Sequence, residues 1–353
     1  MNLEQRKRAF VRLGEFFQQF KISGIKKAED TEFNNLFFDA FKMQIERSSE
    51  VNSWFTKENV LQSFQSWSED LNLENLNEWL GNYQINEQAP SKTIAIIMAG
   101  NIPLVGFHDF LSSLICGHDV KIKLSSNDPH FLPLIAKFLE HFDTAFKGKI
   151  TFSKDKLNDF DAVMATGSSN TARYFDYYFG KYPNIIRKNR NSVAVLTGDE
   201  SAEELEKLGD DIFQYFGLGC RSVSKLFVPE NYNFDLLFKA IYKFNEIIHY
   251  KKYENNYDYN KAVYLMSSFQ IIENGFLMLK EDQSYSSPIA TLFYEYYDSF
   301  ENLKLKLLEE QEQIQCIVSN LNLKNQVAFG ETQQPKLWDY ADGVDTLQFL
   351  INL

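Results

Sequence analysis

A cysteine that follows two glycines and precedes an arginine is the first feature of this sequence that can do chemistry. Cys220 stands in the segment GLGCRS, with Gly217 and Gly219 before it and Arg221 after it. Glycines let a backbone turn come close to a ligand. A neighbouring cation and backbone N–H groups favour thiolate over thiol, and a thiolate is a nucleophile for an acyl carbon. The plainer alternative is a small buried hydrophobe, which describes most free cysteines. It suits Cys116 in SSLICG and Cys316 in QIQCIVS better than it suits Cys220.

Other polar groups follow apolar runs. DAVMA leads into Thr166, Gly167, Ser168 and Ser169 ahead of helical-looking sequence. Free N–H groups at a helix start, with hydroxyls beside them, suit a phosphate or pyrophosphate; the same residues also serve as an ordinary N-cap. Asn101 in AGNIP follows another apolar run. Its amide can donate to a developing oxyanion or bond the backbone of its own turn. Lys123 ends VKIKL, placed either to hold a ribose hydroxyl or adenosine phosphate or to stand as a solvated charge. Arg187, Lys188 and Arg190 form a compact basic run, suited to the phosphates of NADP or CoA or to a solvated loop.

Positioning these groups requires strands that end where they stand. TIAIIM, DVKIKL, KITFS, DFDAVMA and NSVAVLT read as strands, with helices in VGFHDFLSSLICG, SSNDPHFLPLIAKFLEHF and NTARYFDYYF between them. Strands alternating with helices predict an α/β fold with a parallel, doubly wound sheet. Ligands bind such sheets at the carboxyl ends of the strands, where Asn101, Lys123 and Thr166 fall. Residues 1–90 read as helical, with Phe10, Leu13, Phe16 and Phe17, then Leu61, Phe64, Trp67 and Leu71, at helical spacing. Past Gly198 the reading is a helix in AEELEKLGDDIFQYF, the GLGC turn, the strand SKLFVP and a long helix in FDLLFKAIYKFNEIIHYKK. A polar Tyr/Asn loop, strands in AVYLMSS and PIATLFYEY, a helix in LKLKLLEEQEQI and an irregular end complete it. The expected organisation is a helical region over 1–90, a cofactor domain over 91–198 and a cysteine domain over 199–353.

Composition narrows the class. A chain of 353 residues is long enough for two lobes. A net charge of -12 argues against nucleic acid, which needs clustered Lys and Arg. Three scattered cysteines make neither a disulfide framework nor a CxxC metal site. The opening MNLEQRKRAF runs into charged, helical-looking sequence without the apolar core of a signal peptide, so none is expected. The apolar stretch Thr93 to Gly117 is broken by Asn101, Pro103, His108 and Asp109, so no membrane span is expected. The expected setting is the reducing cytoplasm. Neither GxGxxG nor GxxxxGK[ST] occurs, and no HExxH or other ligand cluster suggests a metal.

Strand–Asn–x–Pro, strand–Lys–x–Ser, strand–Thr–Gly–Ser–helix and Gly–x–Gly–Cys, in that order, resemble the aldehyde dehydrogenase superfamily. AGNIP, ATGSS, RKNRNSVAVL, FGLGCRS and DYADGVD narrow the resemblance to the LuxC-like fatty acyl-CoA reductases of bacterial bioluminescence operons, over roughly residues 90 to 353. The resemblance implies a Rossmann-type cofactor domain, a second α/β catalytic domain, and NADPH-dependent (or NADH-dependent) reduction of a long-chain acyl-CoA or acyl-protein thioester to aldehyde, with CoA as co-product. Cys220 matches the nucleophile; Asn101 and the Cys220 N–H match the oxyanion hole. Thr166, Gly167 and Ser168 match the segment beside the cofactor's phosphate and nicotinamide ends, and Lys123 the lysine on the adenosine ribose. Glu331 in FGETQ loosely matches the glutamate on the nicotinamide ribose.

Two departures bear on the reaction and the assembly. Hydrolytic members carry a Glu-Leu-Gly-Gly segment whose Glu activates water; RKNRNSVAVLTG has no such Glu, which favours acyl transfer to CoA over transfer to water. No room exists between Trp79 and Lys92 for the β-hairpin arm that many members use to oligomerise, which leaves monomer and dimer both open. The alternatives are a glutamyl-phosphate-reductase-like enzyme acting on an acyl phosphate, and a non-catalytic acyl-binding subunit working with an acyl-transferring partner.

Overall fold

The computed structural model describes residues 1–167 and 169–353, which form two compact units. The first comprises Met1–Lys188 with Lys336–Leu353, the second Asn189–Pro335. The second unit is thus an insertion into the first.

The first unit opens with α1 (Leu3–Phe17), a short antiparallel hairpin of β1 (Phe20–Lys21) and β2 (Gly24–Ile25), then α2 (Asn34–Val51), α3 (Lys57–Asp70) and α4 (Leu73–Leu80). Asn2 and Gln5 close α1 with a reciprocal capping box, which satisfies two N–H groups that the helix leaves free. A parallel sheet follows: β3 (Thr93–Ile97), α5 (Phe107–Ile115), β4 (Asp119–Lys123), α6 (Phe131–Phe142), β5 (Ile150–Phe152), β6 (Ala162–Thr166), α7 (Ser169–Phe179) and β7 (Asn184–Arg187). Its order is β5-β4-β3-β6-β7, all pairs parallel. The phenylalanines of the helical region pack on one another and on α6: Phe17 lies 4.7 Å from Phe64, and Phe16 lies 4.9 Å from Phe138, centroid to centroid. Such pairs add to the burial of their own large surfaces, which accounts for much of the chain's phenylalanine content.

The second unit holds β8 (Asn191–Val195), α8 (Ala202–Phe213), β9 (Val223–Pro229), α9 (Phe234–Ala240), α10 (Lys251–Met266), β10 (Ile271–Glu273), β11 (Met278–Glu281), β12 (Thr291–Tyr297), α11 (Phe300–Glu309), β13 (Ile314–Val318) and β14 (Gln326–Val327). Its sheet runs β10-β11-β12-β9-β8-β13-β14 and is parallel except for the β10–β11 pair. Ser201 and Glu204 form a capping box at the start of α8. The chain then returns to the first unit, where α12 (Thr346–Ile351) ends it.

Several expectations change here. Asn191–Val195 pairs with β9 and β13 rather than with the first sheet, so the chain passes between units at Lys188/Asn189 instead of near Gly198. The last residues belong with the first unit, not with 199–353. The expected polar loop and the strand AVYLMSS are one helix, α10. Its buried stripe is Tyr253, Tyr257, Asn260 and Tyr264, a helical spacing built from tyrosines rather than aliphatic residues. Among the described residues no helix is long and apolar enough to cross a membrane.

Candidate active site

In the first unit the chain builds the sheet outward from β3 to β5, then crosses back to lay β6 on the other side of β3. That reversal makes the carboxyl ends of β3 and β6 a topological switch point, where open α/β sheets bind ligands. Ile97 aligns with Lys123 on one side and Ala165 on the other. Asn101 follows β3, Lys123 ends β4, and Thr166 with Gly167 ends β6, so four predicted residues share one sheet edge. Ser168 lies outside the described residues. The Lys123 ammonium makes no hydrogen bond or ion pair among the described residues. Gly167 is closely packed: a Cβ there would stand 3.0 Å from the Phe175 and Thr171 side chains of α7, which would have to give way.

The AGNIP turn is held by residues that its own sequence does not reveal. Asn52 Nδ2 donates to the Gly100 carbonyl at 3.3 Å, and Ser63 Oγ to the Pro103 carbonyl at 3.0 Å. Leu104 adopts a left-handed φ of 57°, a costly conformation for a leucine. Its N–H donates to Asp128 Oδ2 at 2.9 Å. Burial pushes the Asp128 carboxyl up to about 6, against the pull of the Leu104 and Phe131 N–H groups. A Cβ at Gly100 would stand 2.7 Å from Ser125 Cβ, so the turn needs glycine there. The helical region therefore shapes the loop that carries Asn101.

The basic run resolves into different parts. Arg187 is buried, donates to the Asp109 carboxylate of α5 and reaches Thr346 Oγ1 at 3.1 Å. It holds the fold together and is not exposed to a phosphate. Lys188 is exposed.

In the second unit Cys220 lies between α8 and β9. Tyr215, Phe216 and Gly217 all have positive φ, a left-handed turn that reverses the chain after α8. Phe216 is stacked on Tyr250 at 4.6 Å. Next comes a tight turn closed by the Ser222 N–H donating to the Gly219 carbonyl at 3.0 Å, with Cys220 and Arg221 at its centre. Cys220 is half-buried. Its carbonyl accepts from Ser192 Oγ at 3.1 Å. Gln333 Nε2 donates to Ser222 Oγ at 3.1 Å and so links this turn to the loop bearing Glu331. Glu331 itself is exposed, but Asp211 clamps the backbone on both sides of it, accepting from Gly330 N–H at 2.7 Å and Thr332 N–H at 2.9 Å. Burial pushes the Asp211 carboxyl up to about 6.

The other two cysteines are desolvated. Burial pushes the Cys116 thiol up to about 12 and the Cys316 thiol up to about 11. Both remain thiols at neutral pH and neither is an activated nucleophile.

Solved structures similar to this chain include aldehyde dehydrogenases. Aldehyde dehydrogenase 21 from Physcomitrella patens, in complex with succinate, superposes with a TM-score of 0.69 at 11% identity, covering 100% of this chain and 84% of that one. The Mycobacterium tuberculosis aldehyde dehydrogenase complexed with NAD+ gives 0.63 at 12% identity, over 92% and 79%. Aldehyde dehydrogenase C from Pseudomonas syringae, bound to NAD+ and octanal, gives 0.61 at 11% identity, over 92% and 78%. The fold is thus that of an aldehyde dehydrogenase. The acyl-CoA reductase (LuxC) family matches residues 23–237, and the chain belongs to that family. It is an aldehyde-forming oxidoreductase that acts on acyl-CoA. No protein of curated function matches the sequence.

Proposed function

We propose that the protein reduces a long-chain acyl-CoA, or another acyl thioester, to the aldehyde through an acyl group carried on Cys220, with NADPH as reductant, in the cytoplasm. The observation that carries this reading is the contrast among the three cysteines. Cys220 sits on a tight turn opened by Gly219, beside Arg221, fixed at its carbonyl and at Ser222, whereas Cys116 and Cys316 are desolvated thiols.

In this reading the Cys220 sulfur attacks the thioester carbonyl, the carbon–sulfur bond to CoA breaks, and CoA leaves as its thiol. Donating to the oxyanion is the role of the Asn101 amide and of the Cys220 N–H. The same donors serve again when the acyl group has been reduced to a thiohemiacetal, whose collapse frees the aldehyde and returns the Cys220 thiol. A reduced nicotinamide supplies the hydride when bound. The residues at the switch point fit such a group: an ammonium without a protein partner among the described residues at Lys123, hydroxyl-bearing Thr166, and Gly167 between β6 and α7. Lys123 would hold the adenosine ribose, Thr166, Gly167 and Ser168 the phosphate and nicotinamide ends, and Glu331 the nicotinamide ribose. The aldehyde dehydrogenases of similar fold that are bound to NAD+ support a nicotinamide as the cofactor.

The test is to incubate the full chain with radiolabelled palmitoyl-CoA without reductant, alongside Cys220→Ala. Label is expected on the wild type alone, leaving as aldehyde once NADPH is added. Equal labelling of the variant would refute the assignment of the nucleophile, and an unlabelled wild type would refute the covalent route.

A further inference from the structure

Ser192 lies on β8 and is wholly buried. Its Oγ stands 3.1 Å from the Cys220 carbonyl oxygen and 3.1 Å from Cys316 Sγ. A carbonyl only accepts, so the single hydroxyl proton of Ser192 goes to Cys220. The Cys316 S–H must then be the donor to Ser192 Oγ. Burial raises the Cys316 thiol, which keeps its proton in place for that bond. A chain of two hydrogen bonds therefore runs from the floor of the sheet, through β13 and β8, to the backbone of the residue that carries the reactive thiol.

We propose that Ser192 is a positioning residue for the nucleophile: its hydroxyl, oriented by the buried Cys316 thiol, fixes the Cys220 carbonyl and with it the turn from which the thiol acts. This rests on Cys220 being the acylated residue. It gives Cys316 a role that needs a hydrogen-bond donor and no thiolate, so serine should replace it and alanine should not. A second contact, Gln333 to Ser222, holds the far side of the same turn.

The experiment compares the full chain as wild type, Ser192→Ala, Cys316→Ser, Cys316→Ala and Cys220→Ala. Two rates are read: single-turnover acylation by radiolabelled palmitoyl-CoA, and iodoacetamide alkylation of the Cys220 peptide across pH. Ser192→Ala should slow acylation at saturating acyl-CoA about five- to tenfold, the size expected for one lost hydrogen bond. The half-saturating concentration should stay within about twofold of wild type, because positioning acts on the step and not on binding. Cys316→Ser should acylate as wild type does, and Cys316→Ala should fall between wild type and Ser192→Ala. Wild-type acylation in Ser192→Ala, with Cys220→Ala unlabelled, overturns the positioning role and leaves the nucleophile standing. A rise in half-saturating concentration that accounts for the whole loss overturns it too. If Ser192→Ala fails to fold, the Cys316 pair decides: equal rates in Cys316→Ser and Cys316→Ala refute the proposal. Full labelling of Cys220→Ala refutes the underlying reading instead, a separate result.

Discussion

Asp211→Asn is expected to remove a measurable part of the pH dependence of stability in the second unit. Asp211 is 1% exposed, and its carboxyl rises from an ordinary 3.8 to about 6, chiefly through burial. A carboxyl whose folded value is raised contributes stability that is fully present below 3.8 and lost as pH rises through about 6. The full loss is about 3 kcal/mol, of which about 1.4 kcal/mol falls between pH 5 and pH 8. Asparagine does not titrate, so its profile should be flatter by about that amount. Stability at any single pH is a poor test. The introduced amide would offer one acceptor oxygen where the carboxylate offers two, leaving either the Gly330 or the Thr332 N–H facing an amide nitrogen. The slope is free of that constant loss. All four tryptophans, Trp54, Trp67, Trp79 and Trp338, lie in the first unit, so their fluorescence reports the wrong half of the molecule. Amide exchange at Gly330 and Thr332 is the local probe, read as protection factors to divide out intrinsic pH effects. Wild-type protection should fall about tenfold between pH 5 and pH 8 relative to the variant. Parallel profiles would show that Asp211 titrates normally and that its burial costs nothing, which would refute the reasoning.

Two further outcomes follow from the first unit. Asp109→Ala leaves Arg187 buried without its carboxylate and should destabilise that unit by about 3–5 kcal/mol, read by tryptophan fluorescence in urea; a loss under about 1 kcal/mol would mean the pair is solvated in solution. Lys123→Met should weaken NADPH binding about tenfold or more, the loss of a charge-assisted hydrogen bond, while alkylation of Cys220 proceeds unchanged; unaltered affinity by fluorescence titration would remove Lys123 from the cofactor site.

Strand ends were the most legible part of the sequence because an uninterrupted apolar run followed by a turn has few readings. TIAII, DVKIK and AVMAT are strands as expected, and the groups after them line one edge. The clamps on that edge and on the cysteine turn were illegible because their partners are distant in sequence: Asn52 with Gly100, Ser63 with Pro103, Gln333 with Ser222. Asp211 did leave a signal, a carboxylate three residues after Leu208 on the buried face of α8, where an unpaired charge would be costly. Arg187 left a similar one at the end of the strand NIIR, but the neighbouring Lys188 and Arg190 made the run look like a surface patch. The basic composition was informative about charge and silent about burial. α10 failed for the opposite reason: its apolar stripe is made of tyrosines, whose hydroxyls made a core-facing helix read as a polar loop.

The ends of the chain also acquire a reason. His108 Nε2 meets the Leu337 carbonyl at 2.8 Å, so that nitrogen carries the proton, and Ser112 Oγ stands 3.4 Å from Nδ1. His118 accepts from the Lys92 N–H at Nδ1 and donates from Nε2 to the Leu350 carbonyl. Burial lowers the His118 value, which favours this neutral form. Both imidazoles are therefore engaged with backbone and hold the returning segment. Tyr340 adds to this hold, accepting from Trp79 Nε1 and meeting Tyr83 Oη, each at 2.8 Å. The chain leaves the first unit one residue after Arg187, which Asp109 holds, and comes back one residue before Leu337, which His108 holds. Adjacent residues in the first turn of α5 thus anchor both covalent connections to the unit that carries Cys220. α5 itself begins where the Asn101 turn ends, and that turn is fixed in turn by Asn52 and Ser63 of the helical region. The first N-terminal helix and the C-terminal helix, which contain no group proposed for catalysis, thus both pack on α5, the element that joins the Asn101 turn to the strand ending in Lys123.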